Sequence, residues 1–128
     1  MKQIHVIPLI GFDNVTFGMK REQVHQLLGT ASEFKKSLFS SNTTDNYGFC
    51  HIFYNANDEC EAVEFFPGIE LCIGTAVLLP GDFQNIQKLF PDLQDADGCF
   101  ISKTKSIGVS ITDGTIDSIL FGCTGYYA

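Results

Sequence analysis

Apolar residues recur at helical spacing in two places along the chain. Val24, Leu27 and Leu28 stand at i, i+3 and i+4 within Lys20–Leu28, and Gly29 follows as a stop. Ile86, Leu89 and Phe90 repeat that spacing within Phe83–Phe90, between Asp82, a good N-cap, and Pro91, which ends the helix. Elsewhere the chain reads as strands, in short runs rich in β-branched and aromatic residues between turn residues. Phe49–Phe53 and Cys60–Phe66 flank Asn55-Ala56-Asn57-Asp58, while Ile107–Ile111 and Ile116–Gly122 flank Asp113-Gly114. An Asp-Gly pair between β-formers is the strongest short hairpin signal. Further strands are predicted over the first ten residues, at Leu38-Phe39, at Phe100-Ile101 and near Glu70 to Leu78.

These elements recur in one order. Val24 to Ile86 is a step of 62 residues, Phe49 to Ile107 one of 58, and Cys60 to Ile116 one of 56. The pattern predicts an α+β fold in a single domain, residues 1–128. Two pseudo-repeats, residues 17–67 and 79–123, each supply a helix and antiparallel strands. Together they are expected to form one sheet with helices on one face. Strict alternation puts Val63, Phe65, Ile119 and Phe121 on one side of that sheet. It puts Cys60, Ala62, Phe66, Ile116 and Leu120 on the other. Two apolar faces are more than a sheet with one wet face requires. The second is either covered by the N-terminal strand and loops or is a surface for a partner or a second copy.

Composition narrows the class. The chain has 128 residues, 45% apolar and 18% charged, with twelve Phe and no Trp. A chain of this length hides roughly two thirds of its unfolded surface. It needs neither metal nor disulfide to fold. No run approaches the roughly 20 apolar residues of a membrane helix. Met1 to Ile10 is interrupted by His5 and Pro8, and it reads as a strand rather than a signal peptide. The Asn14 and Asn42 sequons then have no secretory context. Five Cys at 50, 60, 72, 99 and 123 include no C-x-x-C pair, which predicts reduced thiols, no metal and a cytoplasmic setting.

Charge adds direction. The net charge is −7. Residues 1–44 hold five basic and three acidic side chains, residues 45–97 hold one basic and ten acidic, and residues 98–128 balance. Such a domain is a poor ligand for nucleic acid phosphates or anionic lipid. A basic protein is its natural partner. Glu59, Glu61, Glu64, Glu70, Asp92, Asp95 and Asp97 are the candidate partner-binding residues.

Chemistry is harder to find. Cys50-His51 is the one adjacent thiol and imidazole, but neighbours on a strand face opposite ways. His5 and His25 lack ligand spacing. Glu59, Glu61 and Glu64 lack the Trp, Arg or Tyr cluster that would bind a substrate beside paired carboxylates. Asp92 to Gly98 resembles a calcium loop only until Gly98 is aligned with the loop's Gly. Leu93 and Thr104 then fall at ligand positions they cannot fill. No phosphate-binding Gly motif occurs. These observations predict a protein without enzymatic activity or cofactor.

The run Phe17-Gly18-Met19-Lys20-Arg21-Glu22-Gln23-Val24-His25-Gln26-Leu27-Leu28-Gly29 resembles the helix-opening motif of small bacterial proteins of the beta-lactamase-inhibitor-protein-like type. Gly18, Met19, Gln23, Val24, Leu27, Leu28 and Gly29 fit that pattern. Lys20 and Ala31 depart from it, standing where a Ser or Thr cap and a Pro are usual. The tandem arrangement extends the likeness to most of the chain. The whole chain, with its Gly125-Tyr126-Tyr127 ending, is also similar to small acidic immunity proteins of bacterial toxin systems. The resemblance implies a protein-binding inhibitor that neutralises a basic toxin, such as a nuclease, by occlusion. A ligand-binding domain or enzyme with a pocket between sheet and helices is the alternative, and a homodimeric structural module is another.

Overall fold

The computed structural model of the chain describes residues 1–35, 37–39 and 42–128. Of the described residues 49% lie in strands or isolated bridges and 12% in helices. The fold is therefore mainly β, and the expectation of an α+β fold built on one sheet is corrected. The described residues form two sheets. The smaller is mixed, with order β3 (Val15–Thr16), β2 (Gly11–Phe12), β1 (Gln3–Ile7), β8 (Glu70–Ile73) and β9 (Ala76–Leu79). The larger is antiparallel. Its order is β10 (Gln94–Ala96), β11 (Cys99–Ser102), β12 (Ile107–Thr112), β13 (Thr115–Gly122), β7 (Cys60–Phe65), β6 (Cys50–Tyr54), β5 (Thr43–Asn46) and β4 (Ser32–Lys35).

The smaller sheet explains the correction. β1 pairs in parallel with β8, Gln3 opposite Glu70 and His5 opposite Cys72, a contact no local pattern announces. β2 and β3 have two residues each, too few to show alternation. The run from Glu70 to Leu78 is not one strand but the β8–β9 hairpin. This sheet closes the core from the side opposite the large sheet. One cluster of buried side chains includes Ile4, Phe12, Leu71 and Leu78 from the smaller sheet with Ile52, Phe65, Val109 and Phe121 from the larger. The Phe12 and Phe65 rings meet edge to face at 5.2 Å across the two layers.

The helices contribute less than their stripes suggest. α1 (Arg21–Leu28) and α2 (Phe83–Leu89) each bury one side chain completely, Val24 and Ile86, while Leu27 and Leu89 stay exposed. Asp82 caps α2 by accepting the Asn85 N–H at 3.0 Å. At α1 the reciprocal half of a capping box survives, Gln23 Oε1 accepting the Lys20 N–H at 3.0 Å. The Lys20 ammonium instead donates to the Asn57 carbonyl.

Two further expectations change. Leu38 and Phe39 are not in a strand; they occupy a turn between β4 and β5 and are 90% and 96% exposed. Cys60 and Ile116 face the core rather than away from it. Tyr54 pairs with Cys60 and Phe53 with Ala62, so Glu61 is an unpaired bulge residue. Ile111 pairs with Ile116 and Ser110 with Ser118, so Asp117 is another. Each bulge inserts one residue and turns the strand's start over to the other side. The β12–β13 turn has positive φ at both Asp113 and Gly114, as its tight geometry demands.

Candidate partner-binding face

The side of the large sheet turned away from the core carries its own set of half-buried side chains. Phe53 and Ala62 are buried, yet neither belongs to the core cluster. They share this face with His51, Glu64 and Phe66, and across the β7–β13 seam with Ser118 and Leu120. His51 lies between two rings, 4.9 Å from Phe34 and 4.6 Å from Phe66. Burial holds its pKa below the ordinary histidine value, against the charge of Glu64 opposite it. Glu64 accepts a hydrogen bond from Ser118 Oγ at 2.6 Å.

The segment after β13 turns back over this face. Gly125 has φ 81, and the Tyr126 and Tyr127 rings meet edge to face at 5.1 Å. The sheet is hollowed to receive them. A Cβ on Gly108 would fall 2.2 Å from Tyr127 Oη, and one on Gly122 would fall 2.6 Å from Tyr126 Cβ. Glycine inside a strand weakens it, and marks a site of close approach. Two cavities flank Tyr127. One, of about 270 Å³, is lined by Phe53, Glu64, Ser118 and Leu120. The other, of about 390 Å³, is lined by Asp92, Asp95, Ile101 and Lys103.

The seven acidic candidates therefore divide. Glu64, Asp92 and Asp95 border the cavities around Tyr127, and Asp97 follows in the β10–β11 turn. Asp92 accepts hydrogen bonds from Thr104 Oγ1 at 2.7 Å and Ser102 Oγ at 2.8 Å, which hold its carboxyl below the usual range. Glu59 and Glu61 sit at the β6–β7 hairpin. Glu59 is 3.9 Å from the Lys20 ammonium, and the Glu61 carbonyl accepts the Cys123 N–H. Glu70 is on the smaller sheet, hydrogen-bonded to Gln3. The acidic stretch of sequence is thus not one patch.

A polar cluster that the sequence pattern did not reveal lies on the core side. Asp45 is fully buried and receives Arg21 at 2.6 Å, His25 Nε2 at 2.7 Å and Tyr54 Oη at 2.7 Å. Burial alone would raise its pKa. The hydrogen bonds from Arg21, Tyr54 and His25 outweigh that and hold it below the ordinary aspartate value. The Arg21 guanidinium also lies 4.6 Å above the Tyr54 ring. Arg21 and His25 share a helix face at i and i+4, which was the available signal; their acceptor lies 20 residues beyond His25. Arg21 and His25 tie α1 to the sheet through Asp45, and Arg21 also donates to Thr43 Oγ1 at 3.0 Å.

Cys50 lies in the core and His51 on the outer face, so the adjacent pair is split. Burial pushes the Cys50 and Cys60 thiols up to about 12 each, far from a reactive thiolate. Among the described residues no group of three or more His, Cys, Asp or Glu is placed to hold a metal ion. No helix among them is long and apolar enough to cross a membrane. Comparison with protein-family models, curated proteins and solved structures finds no match.

Proposed function

We propose that the protein is a cytoplasmic, non-enzymatic inhibitor of the immunity type, binding a basic toxin domain and occluding its cationic cleft. The outer face of the large sheet carries the reading. It combines half-buried aromatic side chains with Glu64, and it adjoins Asp92 and Asp95 in a chain of net charge −7. Aromatic and apolar groups supply burial at an interface, while carboxylates steer a cationic partner and fix its register. The Asp45 cluster has the residue types of an acid-base site, but its hydrogen bonds are used internally, which favours binding over catalysis.

The test is binding to a basic toxin domain, sought first among the products of the neighbouring genes. Association should be fast at about 0.1 M salt and slow sharply toward about 1 M, as the Debye length falls from about 10 Å to about 3 Å. A Glu64→Gln, Asp95→Asn double neutralisation, which keeps a side-chain oxygen to accept from Ser118 Oγ, should weaken binding and protection while the unfolding midpoint holds. Unchanged protection by that variant, with salt-independent binding, would remove this face as the interface.

A further inference from the structure

We propose that Tyr127 is a cation-stacking anchor that receives two basic side chains of the protein partner, one on either side of its ring. The inference rests on the reading of the outer sheet face as the partner site and specifies what that face takes. Three observations converge on this one residue. Tyr127 lines both cavities and so is the wall between them. Each cavity brings carboxylates to that wall, Glu64 on one side and Asp92 with Asp95 on the other. The ring is also held in place from beneath, because Gly108 leaves room for Tyr127 Oη where any side chain would collide.

The electrostatics agree with the geometry. Cys99, on the strand beneath, has its thiol pushed up by burial first, and then by the charges of Glu64 and Asp95 together. Both carboxylates thus act on the ground between them. Ser118 engages Glu64 as Ser102 and Thr104 engage Asp92, so the difference lies in Lys103, which borders the larger cavity. The smaller cavity, where Glu64 meets no basic lining residue, is the stronger of the two sockets. At about 270 Å³ and about 390 Å³, both have room for an extended arginine or lysine side chain. A cation over an aromatic ring with a carboxylate beside it is favourable on both counts.

Spacing identifies the ligand further. Two cations on opposite faces of one ring stand about 7 Å apart, the separation of side chains at i and i+2 on an extended segment. The partner chemistry is therefore a basic–x–basic pair presented on a strand or extended loop.

The probe is the capped peptide Gly-Arg-Gly-Arg-Gly, with a citrulline version that keeps the shape and removes the charge. The intact protein is titrated with both at about 0.15 M salt, following the Tyr127 ring resonances by NMR and affinity by calorimetry. The arginine peptide should shift the ring signals and the citrulline peptide should not. Tyr127→Phe should keep the affinity, since the ring is what matters. Tyr127→Ala should lose about tenfold. Gly108→Ala, whose methyl displaces the ring, should lose a similar amount with Tyr127 itself intact. If Tyr127→Ala binds as tightly as the parent or tighter, or citrulline binds as well as arginine, the anchor is wrong. Glu64→Gln separates the two levels. If it weakens binding while Tyr127→Ala does not, the face stands as partner site and the anchor fails. If neither matters, the reading of the face fails.

Discussion

The α1 and α2 ends of the large sheet solve the same packing problem with opposite chemistry. Each helix is followed by four antiparallel strands, β4 to β7 after α1 and β10 to β13 after α2. In both runs the first helical residue reaches the second strand. Arg21 meets Asp45 of β5 in an ion pair at 2.6 Å, joined by His25 and Tyr54. Phe83 meets Phe100 of β11, ring centroids 4.5 Å apart. An ionic clamp is directional, and it penalises the loss of either partner, because a buried charge is left uncompensated. A ring contact is forgiving, and its loss removes only area and packing. The α1 end is therefore the more specific of the two, and the α2 end the more tolerant.

The largest expected effect breaks that contrast at its strongest point. Asp45→Ala removes the acceptor that Arg21, His25 and Tyr54 share, leaving Arg21 with the Thr43 hydroxyl and the exposed Glu33, and should cost about 3–5 kcal/mol in denaturant unfolding. Phe100→Ala, at a half-buried site, should cost about 2 kcal/mol, less than a fully buried ring. Equal costs would mean that the clamp is no stronger than the ring pair.

Acid sharpens the comparison. The folded Asp45 pKa lies below its unfolded value, so its contribution is complete above about pH 4 and disappears as pH falls through the folded value. The gap between the parent and Asp45→Asn should narrow from about pH 7 to about pH 3, while the gap for Phe100→Ala stays constant. A pH-independent Asp45→Asn gap would show that the carboxylate's charge is not what holds α1.

The smallest effect concerns the helix starts. Asp82→Ala removes a true cap from α2 and should cost about 1 kcal/mol. Lys20→Ala at α1 gives up an exposed ion pair and should change stability by less than about 0.5 kcal/mol, read as a shift in unfolding midpoint. A larger loss at Lys20 would mean that its bond to the Asn57 carbonyl anchors the hairpin as well.

Legibility followed the range of each interaction. The Asp113-Gly114 turn, the Asp82 cap and the Gly29 stop are set by the conformational limits of a few neighbouring residues. The acidic stretch was readable as composition but not as a surface. Folding places Glu70 on the smaller sheet and Glu59 at a hairpin, and leaves only part of the set around Tyr127. Strict alternation misplaced Cys60 and Ile116 because a bulge is a property of two paired strands, and neither strand shows it alone. Leu38 and Phe39 look like strand residues for their apolar character, yet they lie in a turn, outside the ladders of the described residues.

By itself the sequence determined the short-range features: where helices begin and end, where hairpins turn, and the sign of the charge. These depend on backbone sterics, capping and counting, which act within a few residues. The tertiary structure alone decided that β1 lies beside β8 to found a second sheet, that Asp45 closes on Arg21 and His25, and that Tyr127 rests over Gly108. Those contacts join residues distant along the chain. Their free energy appears only once the intervening segments have packed, so no window of sequence contains it.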